Sequence, residues 1–139
     1  MLYIYALEDD FKQQARIESA IQAIATAETM DYELSVSGRA DQLMESLEGK
    51  GSQYVFFLDI DLNGQKQKGF EVAREIRARD AQALIVFVTH YSNFMPLTFQ
   101  YQVSALDFID KELPQEEFRQ RLANILRHAQ DNLGKNLAE

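Results

Sequence analysis

The chain has 139 residues, of which 46% are hydrophobic and 26% charged, a size and balance that fit one packed domain and exclude a disordered chain. Its net charge of −8 repels a polyanion and makes the chain a poor direct partner for nucleic acid. Cysteine is absent, which removes disulfides, thiolate catalysis and cysteine-ligated zinc, and the opening MLYIYALEDD is too short and too acidic for a signal peptide or a membrane span. A cytoplasmic location without membrane contact is expected.

Residues 2–7 form the first of several short, near-continuous apolar runs, rich in branched and aromatic side chains, as expected of strands buried on both faces. The acidic triplet Glu8, Asp9 and Asp10 follows where a helix N-cap belongs, and Ile17, Ile21 and Ile24 then share one helical face. A partly alternating strand at 32–36 leads to a short helix marked by Leu43 and Leu47. A loop at 48–53, carrying Gly49, Gly51 and Ser52, precedes a strand at 54–58 that runs into Asp59. The polar stretch 62–68, with Gly64 and closing at Gly69, separates it from a helix with Val72, Ala73 and Ile76 on one side. The next strand, 84–88, ends at Thr89. Residues 93–102 are expected to be helical, with Pro96 in the first turn. A fifth strand at 105–109 lies between Ser104 and Asp110, and Phe118, Leu122, Ile125 and Ala129 line a final helix. Strands alternating with helices predict an α/β fold, a (βα)5 doubly wound parallel sheet, for which the flavodoxin-like order 2-1-3-4-5 is the commonest small solution. The domain is expected over 1–131, with the polar 132–139 as a tail or the start of a linker.

In such a sheet the ligand crevice lies beyond the carboxyl ends of the strands. The first strand delivers Glu8, Asp9 and Asp10 there, the third Asp59 and Asp61, the fourth Thr89, and the fifth Asp110 and Lys111. Converging carboxylates repel one another unless a cation sits among them, and hard oxygen donors favour Mg²⁺, Ca²⁺ or Mn²⁺. Lys111 adds a compact positive charge and Thr89 a hydroxyl donor, which together suit charge developing during phosphoryl transfer. Taken singly, Asp9 and Asp10 read as helix caps, Thr89 as a strand-end hydroxyl, Lys111 as a solvated amine and His90 as structural. Asp59 stands apart, because an ionisable group directly after Val55, Phe56, Phe57 and Leu58 is costly unless a charge pairs with it.

The segments LEDD, FFLDIDLNG, VFVTH and SALDFIDKE, in that order, resemble the receiver domains of two-component response regulators, over residues 2 to about 133. The resemblance implies phosphorylation of Asp59 by a sensor histidine kinase with Mg²⁺. It implies Asp9 as a direct metal ligand, Glu8 as a second acid often acting through water, and Asp61 as a ligand through its backbone carbonyl. Thr89 and Lys111 match the phosphate-sensing hydroxyl and the phosphate-pairing lysine, and Phe108 the switch aromatic. LDIDLNG, KGFEVA and TFQYQVSALDFIDK look most like regulators of peptide quorum sensing and bacteriocin production, whose output is a LytTR-type DNA-binding domain. The sequence contains no such module, so DNA contact is expected only through a domain outside this chain, and a piece of a longer regulator is favoured over a stand-alone receiver. Dimerisation on phosphorylation is expected to use Tyr91, Phe94, Phe99 and Tyr101. The sequence departs from the family at Glu112, where most receivers carry a proline, and in a longer, more polar loop after Asp61. Two rivals remain: a haloacid-dehalogenase-type phosphatase, whose DxD pattern Asp59 and Asp61 also satisfy, and a degenerate receiver that binds partners without phosphorylation. The phosphatase places its DxD on the first core strand, whereas here Glu8 and Asp9 come first.

Overall fold

The computed structural model describes residues 1–47, 54–65, 67–90 and 103–138. They form β1 (Leu2–Leu7), α1 (Phe11–Glu28), β2 (Tyr32–Ser37), α2 (Ala40–Ser46), β3 (Tyr54–Leu58), α3 (Lys68–Arg79), β4 (Leu84–Thr89), β5 (Asp107–Asp110) and α4 (Gln115–Ala138). The expected helix at 93–102, the loop at 48–53 and the aromatic set Tyr91, Phe94, Phe99 and Tyr101 lie outside the described residues. All strand pairings are parallel and the order is β2-β1-β3-β4-β5, the doubly wound arrangement the alternation predicts.

The continuous apolar runs follow from burial on two faces. In β3, Val55 and Phe57 join a core with Ile17, Ile21 and Phe118 from α1 and α4. Phe56 and Leu58 join a second core with Leu43, Phe70 and Ile76 from α2 and α3. Every residue of β3 is therefore buried, and each such large apolar side chain contributes about 1.5–3 kcal/mol relative to exposure. β2 is an edge strand, and its alternating half-buried and exposed residues match the partial alternation in the sequence.

The helix ends aim the chain at the strand tips. Asp10 caps α1, its side chain accepting from the Lys12 N–H at 3.0 Å, which leaves Asp9 outside the cap. After β3, Asn63 and Gly64 take positive φ of 51° and 76° between Leu62 and Gln65, whose backbones exchange two hydrogen bonds; this Asn-Gly hairpin turn folds the polar loop back over the strand end. β5 starts at Asp107, two residues later than 105–109 predicts. The segment before it is held from two sides: the Arg77 guanidinium of α3 donates to the Val103 and Ser104 carbonyls at 2.9 and 3.3 Å, and the Leu106 N–H donates to the Ile85 carbonyl of β4 at 2.7 Å. The final helix continues through the polar residues after Asp131 to Ala138.

Candidate functional site

The site is built by adjacent strand ends in register. The Asp59 N–H donates to the Leu7 carbonyl at 2.9 Å and the Lys111 N–H to the Thr89 carbonyl at 2.8 Å, so the tips of β1 and β3, and those of β4 and β5, are bonded neighbours. Among the described residues, the buried polar or charged ones are Glu8, Asp59, Thr89 and Lys111, and all four are residues the strand-end reading selects. Glu8, Asp9 and Asp59 bring one carboxylate oxygen each to within 4.8 Å of one another, with Asp9 exposed and the other two buried.

Lys111 neutralises part of this charge. Its Nζ donates to Asp59 Oδ2 at 2.9 Å and contacts Glu8 Oε1. Burial alone would lower the ammonium pKa, but the carboxylates of Asp59 and Glu8 outweigh it and the amine is held above its ordinary value, so it stays charged. Glu8 moves in the opposite sense to a paired acid. Burial, reinforced by the nearby Asp59 charge, pushes its carboxyl up to about 7 even though Lys111 and the Asp10 N–H favour the ionised form. One lysine does not balance this acid pocket.

Asp9 accepts from the backbone N–H of Asn63 at 2.8 Å, and the Asn63 side chain donates to the Gly38 carbonyl at 3.0 Å, so the turn after β3 lies against the exposed acid. The Asp61 side chain accepts from the Gln67 N–H at 2.9 Å, at the entry to α3. That bond gives one oxygen of its carboxylate a structural role at the head of α3. Phe108 is buried, its ring 5.7 Å from that of Phe87. The Thr89 hydroxyl, fully buried at the mouth of the strands, meets no hydrogen-bond partner among the described residues, an arrangement that costs about 1–3 kcal/mol unless an oxygen-rich group satisfies it.

Three contributors were not legible as such. Gly69 packs so closely under the acid that a Cβ there would sit 1.9 Å from the Asp59 carbonyl oxygen. Arg16 reaches from α1 to the backbone after β5. His90 Nδ1 pairs with Glu112 Oε1 at 2.8 Å, linking the residues that follow Thr89 and Lys111. KGFEVA marks a helix start that includes Gly69, but nothing local signals the other two contacts.

Three converging carboxylates, with hard oxygens and no nitrogen or sulfur donor, fit a small hard divalent cation better than zinc or copper. The orphaned Thr89 hydroxyl and the Lys111 ammonium fit an anionic oxygen beside it. A family profile described as the response regulator receiver domain matches residues 4–123. Accessory gene regulator protein A of Staphylococcus epidermidis is 33% identical over 131 residues, covering 94% of this chain and 54% of that protein; the chain thus spans about half the length of the curated relatives it matches. The response regulatory domain of protein mrkE from Klebsiella pneumoniae has a TM-score of 0.73 at 19% identity, covering 93% of this chain and 98% of that one. Response regulator protein TrrA from Thermotoga maritima, in complex with Mg²⁺-BeF, has a TM-score of 0.69 at 20% identity, covering 89% and 98%.

Proposed function

The chain belongs to the response regulator receiver domains, and on that premise we propose that Asp59 accepts a phosphoryl group from a sensor histidine kinase. A receiver is a signalling protein rather than a classical enzyme, and its relatives are quorum-sensing regulators of the accessory gene regulator A type. The observation that carries the reading is the buried contact between Lys111 Nζ and Asp59 Oδ2 at 2.9 Å, at the edge of the three-acid cluster.

Asp9 and Asp59 would hold Mg²⁺ directly, with Glu8 acting through water and Asp61 through its backbone carbonyl; bound there, the ion offsets the negative charge of the transferred group. The chain's own groups do the rest. An Asp59 carboxylate oxygen attacks phosphorus in line, the O–P bond forms as the N–P bond of the donor phosphohistidine breaks, and the electron pair returns to the histidine nitrogen. Lys111, already charged and desolvated beside Asp59, pairs with a phosphoryl oxygen, and the Thr89 hydroxyl donates to another. Drawing Thr89 toward the phosphoryl group biases Phe108 and β5, the bistable element of the switch. The same groups serve hydrolysis: water attacks phosphorus in line, the Asp59 O–P bond breaks with its electron pair returning to the carboxylate, and inorganic phosphate leaves with the water's oxygen. Residues 1–131 form the receiver, and 132–139, over which α4 continues to Ala138, are a tail or the start of the link to an output domain through which DNA is reached; phosphorylation favours a homodimer, and the protein works in the cytoplasm. Among the described residues no helix is long and apolar enough to cross a membrane.

Incubation with Mg²⁺ and acetyl phosphate, followed by intact mass, tests the assignment. The wild-type protein should gain one phosphoryl group and Asp59→Asn none. Equal labelling of both proteins, or no labelling of either, overturns it; the latter outcome favours a phosphorylation-independent interaction module, and multiple turnover on phosphomonoesters favours a phosphatase.

A further inference from the structure

Lys111 reaches the acid pocket from the head of a loop joined to β4 on one side, where the Lys111 N–H donates to the Thr89 carbonyl at 2.8 Å and Glu112 Oε1 pairs with His90 Nδ1 at 2.8 Å. Residues 111–114 connect a four-residue edge strand to α4. In the loop, the Glu112 N–H donates to Asp110 Oδ1 at 2.8 Å and the Leu113 N–H to the Asp110 carbonyl at 3.1 Å. These bonds within the loop shape the turn. The carbonyls of Lys111 and Leu113 point the other way, to α1.

Arg16 meets them there. Its Nη1 donates to the Lys111 carbonyl at 2.7 Å, its Nη2 to the Leu113 carbonyl at 2.6 Å and its Nε to Gln115 Oε1 at 2.8 Å. The guanidinium carbon lies 3.9 Å from the centroid of the Phe118 ring, a cation–π contact with a fully buried side chain. One planar fork thus fastens the backbone of Lys111, the loop, the first residue of α4 and a core aromatic. α1 is itself anchored to the acids, because its cap is Asp10 and its Gln14 amide donates to the Glu8 carbonyl at 2.6 Å. The arginine therefore closes a circuit: acids to α1, α1 to the lysine loop, and lysine back to the acids.

We propose that Arg16 is a positioning residue for phosphoryl acceptance, holding the backbone of Lys111 so that its ammonium stands at Asp59. A lysine side chain has four rotatable carbons, and its reach is directed only if the backbone beneath it is fixed. A lysine at position 16 keeps the charge but puts its donors on one flexible nitrogen in place of a planar fork, so it holds the two carbonyls less firmly. Displacement by about 1 Å of a group that stabilises a transition state costs up to about a hundredfold in rate, and a partial displacement of the loop predicts a loss of about tenfold.

The inference rests on the receiver reading, and two measurements separate their fates. The first is the rate of phosphorylation by acetyl phosphate with Mg²⁺ in wild type, Arg16→Ala, Lys111→Ala and the double variant. Arg16→Ala should slow labelling about tenfold in the wild-type background and not at all in the Lys111→Ala background, because an effect transmitted through Lys111 vanishes with it. Equal slowing in both backgrounds, or none in the first, overturns the proposal. The second needs no phosphorylation: acylation of the Lys111 amine by an N-hydroxysuccinimide ester, read by peptide mass. Arg16→Ala and Arg16→Lys should both raise Lys111 labelling over wild type, the lysine variant less. Arg127→Ala, which removes the 2.8 Å pair with Glu28 between the same two helices, should leave it unchanged. Equal labelling of Lys111 in all four proteins overturns the proposal even if phosphorylation proceeds, whereas raised labelling without phosphorylation of the wild type keeps the clamp and removes the receiver chemistry.

Discussion

At Glu8 two demands of the pocket oppose each other. A second acid beside Asp59 must be ionised to draw a cation, yet its position at the end of β1 leaves it 2% exposed, where desolvation disfavours charge. The result is a carboxyl pushed from its ordinary value near 4.5 up to about 7. Its consequence for stability has a definite sign. A group whose pKa is raised on folding takes up protons as the chain folds, so its contribution is fully present below about pH 4.5 and is lost as the pH rises to about 7. Other carboxylates titrate in the same range, so the expected signature is a difference between two proteins. Without metal, Glu8→Gln should gain stability relative to wild type between pH 5 and pH 8, as wild type comes to hold a buried charge that the variant lacks. Urea unfolding at the two pH values reads this directly, and a stability difference between variant and wild type that does not move in the variant's favour from pH 5 to pH 8 would show that Glu8 is ionised throughout.

The β3–α3 unit shows how an element, rather than a side chain, fixes Asp59. The Gly69 N–H donates to the Ile60 carbonyl at 2.7 Å, and the first turn of α3 lies directly on the backbone that follows β3. A methyl group at 69 would stand 1.9 Å from the Asp59 carbonyl oxygen and 2.7 Å from the Ile60 Cα. Both obstacles are backbone, so neither can yield by rotating. Gly69→Ala should therefore destabilise the fold by about 3 kcal/mol, at the upper end for overpacking, and slow Asp59 phosphorylation in the fraction that remains folded. Denaturant midpoints with intact-mass labelling would test both effects, and a variant with wild-type stability would mean that α3 slides without cost. The same unit marks the limit of what the sequence conveys. Val55 to Leu58 announces a strand buried on both faces, and its acid is conspicuous because it comes next. A close approach between position 69 and the backbone of residue 59 is a tertiary fact that no periodicity carries. The approach to β5 illustrates this again, since the Val103 carbonyl is bound by Arg77, 26 residues earlier in the chain. The site residues were legible because each sits at a strand end, which topology brings together; Arg16 was not, because its partners lie 95 and 97 residues away and belong to no shared motif.

Charge organises the whole molecule around the pocket. The net charge of −8 adds a general self-repulsion to the local repulsion among Glu8, Asp9 and Asp59, which the single ammonium of Lys111 relieves only in part. Two remedies differ in kind. Salt screens exposed charges over about 10 Å at 0.1 M but reaches buried pairs much less, whereas a divalent ion bound among the three carboxylates acts on the folded state alone, because the unfolded chain does not hold them within 4.8 Å. Mg²⁺ at a hundred times its dissociation constant should thus stabilise the protein by about 2.7 kcal/mol, a rise of roughly 8 °C in Tm for a chain of this length. NaCl at matched ionic strength should give a much smaller rise. Asp9→Asn, which removes the exposed and most accessible acid of the cluster, should lose most of the Mg²⁺ increment while keeping the response to NaCl. Thermal unfolding of the two proteins in the two salts measures all four quantities. An equal response of wild type and variant to Mg²⁺ would place the ion's effect on the general surface charge, and would take the metal away from the pocket that the strand ends build.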